Sequence, residues 1–189
     1  MDEILEGLKR AGRAAFRTRE YAALLGKPGY ARLVLHRLHV KGKLRKVRNG
    51  WWAFPDALPE SVACEISTPC YLSFFSALAL HGLTTQMPRG IQLAVARKPK
   101  AYAVFGMRVK EFNVGKRRFG GFVQKEGLFL ATPEKAFADC LLFPRACPQI
   151  VLYEALPEID VEKVKQLALT RAAKARLRRL VKHAGQERD

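Results

Sequence analysis

Residues 30–54, YARLVLHRLHVKGKLRKVRNGWWAF, decide how the first third of the chain is to be read. From about Tyr30 to Lys41, Ala31, Val34, Leu35 and Leu38 recur at helical spacing, so one side of a helix faces a core. Arg32, His36 and His39, spaced i, i+4, i+7, share the outer side, with Arg37 and Lys41 flanking them. Gly42 stands where such a helix ends. Asn49-Gly50 is a dipeptide favoured by two-residue type I′ hairpins, because both central positions take positive φ. A strict register then pairs Arg48 with Trp51 and Val47 with Trp52. Val47, Trp52 and Phe54 fall on the face that closes a core, and Lys46, Arg48, Trp51 and Ala53 on the other. Arg45 lands on the core side, so it projects past the edge or a bulge intervenes.

Upstream, Ile4, Leu5, Leu8 and Ala11 form the apolar stripe of a first helix, and Phe16 anchors the next turn. Thr18 is placed to cap a second helix, REYAALLG, expected to bury Tyr21, Leu24 and Leu25 and to stop at Gly26. Two short helices joined by a GKPG turn, the second cationic outside, followed by a basic hairpin, make a winged helix-turn-helix pattern. In that arrangement the third helix enters the major groove and the hairpin lies along phosphates. The expected DNA contacts are Arg32, His36 and Arg37 toward the groove. Arg17, Arg19, Lys27, Lys46, Arg48 and Trp51 complete the set against the backbone. The same unit could instead serve as an RNA-binding or protein-docking module.

The charge supports a polyanionic partner. Lys and Arg number 34 against 17 acidic residues, a net +17. Residues 1–59 carry 13 cations and 5 acids, the densest excess along the chain. Each phosphate that such cations neutralise releases counterions. No apolar run approaches 18 residues, and acidic residues stand where a signal peptide needs cations, so a soluble cytoplasmic protein with no membrane partner is expected. Cys64, Cys70, Cys140 and Cys147 form no CxxC pair, so no zinc or other metal site is assigned; Cys70 and Cys140 read as buried thiols.

Pro55–Pro59 reads as a linker, after which the texture changes. The expected domains are 1–58, winged helix; 59–147, α+β; and 148–189, a helical extension. Thr68-Pro69 is expected to start a buried helix, CYLSFFSALALHG, ending at Gly82, with His81 against its last carbonyls. Strands follow at 91–96, 102–106, 109–114, 121–124 and 128–131. Thr132-Pro133-Glu134 then caps a helix ending before Pro144. The fold class is therefore α+β: a winged helix-turn-helix, then a mainly antiparallel sheet with two packed apolar helices, plus C-terminal helices. There, Asp160 and Thr170 are placed to cap two helices. The second sets Arg171, Lys174, Arg178 and Lys182 roughly along one face.

Catalytic patterns are missing. No acidic residue has lysine two positions on, and there is no GxGxxG, Walker lysine or GxSxG. Asp139, set among apolar residues, reads as a structural ion-pair acid, and Asp160/Glu162 as the start of a helix. No enzyme, cofactor or catalytic residue is expected. A metal-dependent nuclease built on Asp139, Asp160 and Glu162 is the rival.

Three stretches, RNGWWAFPD (48–56), YLSFFSALALHGL (71–83) and LFLATPEKAFADCLL (128–142), resemble the AbiEi family of antitoxins from type IV toxin–antitoxin systems. The family's S-A-L-x-x-H-G-L and P-E-K-A-x-x-D patterns both match, and the similarity spans about residues 10–145. The resemblance implies a winged-helix domain that binds operator DNA and represses its own operon. It also implies a second domain needed to counter a nucleotidyltransferase toxin, functionally or by contact, with Asp139 on the family's helix aspartate. The chain departs from longer members in its short region after residue 145. A stand-alone winged-helix regulator or RNA-binding module without a toxin partner is the alternative, and the sequence leaves the oligomeric state open.

Overall fold

The computed structural model describes residues 2–125 and 127–186. The chain is α+β and falls into two compact units. One holds the chain up to Thr68 together with Ala103–Met107; the other holds Pro69–Tyr102 and the chain from Arg108 onward.

The first unit begins with α1 (Asp2–Arg10), β1 (Ala15–Arg17), α2 (Thr18–Leu25) and α3 (Pro28–Val40). The hairpin strands β2 (Arg45–Arg48) and β3 (Trp51–Ala53) follow, then α4 (Pro59–Ser67). Leu5, Leu8, Phe16, Tyr21, Val34, Leu35, Leu38, Leu44, Trp52 and Phe54 share one core. At roughly 1.5–3 kcal/mol per fully buried large apolar side chain, this cluster supplies most of the unit's cohesion.

Several local expectations are corrected here. Thr18 is the first helical residue rather than the cap; Arg17 caps α2, and its N–H donates to Glu20 Oε2 at 2.8 Å. Leu24 points outward at 59% exposure, because Tyr21 fills the core side of the helix with Ala22 and Leu25 packed partly beside it. Phe16 lies in β1, paired with Trp52 rather than anchoring a turn. That extra strand makes β3 the centre of a three-stranded antiparallel sheet ordered β1-β3-β2. The hairpin keeps the Arg48–Trp51 pair, but Lys46, not Val47, stands opposite Trp52, and the register shifts between Lys46 and Arg48. Gly50 alone takes positive φ (73°), so the turn is not type I′. A turn of the other hand splays its strands, and the extra residue at Val47 absorbs the mismatch. The same bulge frees Arg45 from the core side; its guanidinium sits 3.6 Å from the Phe105 ring centre. Residues 59–67, which carried no element in the sequence reading, form α4, with Pro59 in the first turn.

The second unit holds β4 (Cys70–Leu72), α5 (Phe74–Leu80), β5 (Gly90–Val95), β6 (Ala101–Val104), β7 (Met107–Asn113), β8 (Phe122–Lys125), β9 (Leu128–Ala131) and α6 (Pro133–Leu142), except that Ala103 and Val104 of β6 and Met107 of β7 fall in the first. It ends with α7 (Gln149–Ala155), α8 (Val161–Gln166) and α9 (Arg171–Gln186). The expected helix over residues 69–82 is in fact a strand and a short helix. An apolar run buried on all sides fits either element, and periodicity alone does not separate them. Here Ser73 is extended and Phe74 has φ +58°, which breaks the run in two. The six-stranded sheet, β6-β7-β5-β4-β9-β8, is mixed rather than mainly antiparallel. β4 runs antiparallel to β5 but parallel to β9, and β5 runs parallel to β7. α5 packs on β5 and α6, and α6 on α8 and α9. Thr132 and Asp160 cap α6 and α8 as expected from their positions.

Candidate nucleic-acid interface

Glycine ends and apolar spacing fix where the first unit's cations lie. Arg17 closes β1, and the pairing of Arg17 and of Arg48 with Trp51 sets one cation on each side of the indole in the register. The Arg17 guanidinium sits 4.8 Å from the Trp51 ring centre. Trp51 was expected on an exposed face, yet it is only 9% exposed. Its place on the central strand, with a neighbour on both sides, explains this. The Trp52 indole on the opposite face donates to Thr18 Oγ1 at 2.9 Å, which ties β3 to the start of α2.

Arg17, Arg19 and Arg32, together with Trp51, line one cleft of about 700 Å³. Thr18, Asn49, Gly50 and Pro28 complete its walls. The cleft thus joins the end of β1, the first turns of α2 and α3, and the hairpin turn. Arg17, Arg19, Lys27, Arg32, Arg37 and Lys46 form no ion pair with any described residue. Arg13 is the contrast: it is half-buried and pairs with Glu65 at 2.9 Å and Glu20 at 3.4 Å. Burial pulls its pKa down, but the two carboxylates outweigh that and raise it. Unpaired guanidiniums gathered on one concave surface create the field that attracts an anion.

The remaining expected residues are spread more widely. Lys27 precedes α3, exposed; Lys46 and Arg48 are exposed on β2. His36 is exposed on α3, and Arg37 donates to Tyr30 Oη at 3.1 Å. Arg32 and Arg37 lie five residues apart, so at 100° per residue they diverge by about 140° around the helix. They flank the outer surface of α3 rather than sharing it. His39 is exposed but tied down, its Nδ1 at 2.9 Å from the Leu44 carbonyl oxygen and its ring edge-on to Trp52. The part of the cleft that sequence missed is β1; only the alternation Ala15-Phe16-Arg17 could have signalled it.

In the second unit the acids of the nuclease rival are engaged in structure. Asp139 is fully buried and pairs with Lys135, while Ser73 Oγ and Tyr71 Oη donate to it at 2.8 and 3.0 Å. Burial pushes its carboxyl above the ordinary value; the Lys135 ammonium and the two hydroxyls pull it part of the way back. Burial and the nearby carboxylate also raise the Tyr71 phenol, which therefore stays a donor. Asp160 caps α8, accepting from the Glu162 and Lys163 amides. Among the described residues no three His, Cys, Asp or Glu side chains gather where a metal ion could sit. His81 Nε2 lies 2.8 Å from the Ala131 carbonyl oxygen at the end of β9, not from the carbonyls of its own helix. None of Cys64, Cys70, Cys140 and Cys147 forms a disulfide, and the last three are buried. No helix among the described residues is long and apolar enough to cross a membrane.

No known protein-family profile matches the chain, and no characterised protein matches it in sequence.

Proposed function

We propose that the chain is a DNA-binding transcription regulator whose first unit acts as a winged helix-turn-helix. α2 and α3 form its helix pair, α3 is the recognition helix, and the β2–β3 hairpin is the wing. One observation carries the reading: Arg17, Arg19 and Arg32 line a single cleft at the start of α3 and have no acidic partner among the described residues. Cations in that position fit the sugar-phosphate backbone beside a groove-seated helix. The acids of the same unit that form ion pairs are taken by other cations, Glu20 and Glu65 by Arg13 and Asp56 by Lys9.

The test is an electrophoretic titration against duplexes selected from a random pool. Replacing Arg17, Arg19 and Arg32 together by Ala should abolish the shift, while Lys174→Ala/Arg178→Ala on α9 should leave it in place. Unchanged binding by the triple variant, or preference for structured RNA over duplex in competition, would reject the reading. The antitoxin half of the proposal rests on the AbiEi resemblance. It is tested by co-expression with a nucleotidyltransferase encoded beside this chain's gene. Growth rescued by the full chain supports it; growth arrested with or without the chain does not.

A further inference from the structure

The outer surface of α3 differs from what a cation-rich recognition helix would present. Ala31, Val34, Leu35 and Leu38 face the core. At 100° per residue the opposite side is centred on Gly29, Leu33, His36 and Val40. Leu33 is 44% exposed and Val40 72%, and being seven residues apart they lie within about 20° of one another. The guanidiniums stand at the two margins, Arg32 toward the cleft and Arg37 toward Tyr30. α3 therefore presents an apolar ridge between two cationic edges.

We infer that this ridge reads thymine methyl groups in the major groove, so that Leu33 and Val40 are specificity-determining residues. The inference rests on the DNA-binding reading given above. On the major-groove edge of a base pair the one projecting apolar group is the C5-methyl of thymine; cytosine shows only a C5–H there, and the purine edges are donors and acceptors. A branched aliphatic side chain offers those polar positions nothing and would leave them unpaired against it. Against a methyl it gains contact and removes apolar surface from water on both partners. The flanking arginines supply the complementary charge for the phosphates on either side of the groove, which fits a duplex in preference to a second copy of this +17 chain.

The experiment uses the full chain and the tightest duplex from the random-pool selection. Each thymine of that duplex is replaced in turn by deoxyuridine, which deletes the methyl while keeping the base pair and the O4 acceptor. At one or two positions binding should weaken about fourfold, the scale of one buried methyl. In Leu33→Ala the uracil effect should vanish at one of those positions, while the slope of log affinity against log salt stays as in the parent chain. Val40→Ala should do the same at the neighbouring position. Equal affinity for thymine and uracil duplexes throughout overturns the inference and leaves the DNA-binding reading standing. A uracil effect that persists unchanged in both variants overturns the assignment to this ridge. Self-association of the chain that is lost in Leu33→Ala, with uracil-indifferent binding, shows the ridge to be a protein interface and overturns it as well. Failure to bind any selected duplex removes both readings together.

Discussion

Arg17 and Trp51 stand directly opposite each other across β1 and β3, with the guanidinium 4.8 Å from the ring centre. The pair fixes at the cleft an arginine that has no acidic partner among the described residues. Trp51→Phe keeps a ring beneath Arg17 and should cost little stability. Trp51→Ala removes both ring and packing and should cost about 3–5 kcal/mol. Urea unfolding of the three proteins checks the order. Arg17→Ala should lose about 0.5–2 kcal/mol at most, the range of a cation–π pair.

Binding to duplex should weaken steeply with salt, at roughly −0.9 in log–log slope for each phosphate neutralised. If Arg17, Arg19 and Arg32 each meet one phosphate, each single alanine variant flattens the slope by about 0.9. Titrations at several salt concentrations read this directly, and an unaltered slope would place the phosphate contacts elsewhere.

Phe74 begins α5 with φ +58° and is fully buried against Phe112 and Phe143. A bulky residue in the left-handed region costs on the order of 1–3 kcal/mol, which its ring contacts offset. Both Phe74→Ala and Phe74→Gly lose the ring, but glycine also releases the strain. Phe74→Gly should therefore be the more stable of the two by about 1 kcal/mol, the reverse of ordinary helix propensity. Paired urea melts decide it.

Asp139→Asn should destabilise the second unit by about 1–3 kcal/mol, because the amide nitrogen replaces an accepting oxygen and leaves one of the buried donors Lys135, Ser73 or Tyr71 without its acceptor. The loss should depend on pH. A carboxyl whose folded pKa lies above its unfolded value binds its proton more tightly when folded, so its contribution to stability declines as pH rises through that window. The gap between the parent chain and Asp139→Asn should then narrow as pH rises above the ordinary carboxylate value. Asp56, depressed by its Lys9 hydrogen bond, Glu154, depressed by the Thr84 hydroxyl, and Asp160, depressed by the Lys163 amide, act in the opposite sense. Their contributions are present above the ordinary carboxylate value and fade as pH falls through the depressed ones. They are common to both proteins and cancel in the difference.

Amphipathic spacing made the inner face of α3, the strands from Gly90 to Ala131 and the caps at Thr132 and Asp160 readable from sequence. These are local patterns in which one residue's neighbours along the chain are also its neighbours in space. What escaped depends on distant partners. β1 is three residues long and exists because Trp52 is there to pair with Phe16. Cys70–Leu72 becomes a strand because β5 and β9 flank it, not because of its own propensity. Leu24 looks like a core residue until Tyr21, Ala22 and Leu25 have taken the core side of α2. The charge of the candidate site was plain in the composition, but its focusing into one cleft needed β1. The 140° divergence of Arg32 and Arg37 follows from spacing alone, whereas the exposure of Leu33 and Val40 does not.

The parallel pairing of Leu72 with Leu130 also bears on how the chain is made. During synthesis β4 leaves the ribosome long before β9, and Ser73 and Tyr71 emerge well ahead of the aspartate that accepts their hydrogen bonds. A ribosome stalled between those points holds a nascent apolar strand with one edge open, the kind of species that chaperones capture. Fragments ending before residue 130 are accordingly expected to be insoluble, so nested truncation is a poor way to dissect this unit and point substitution the better one.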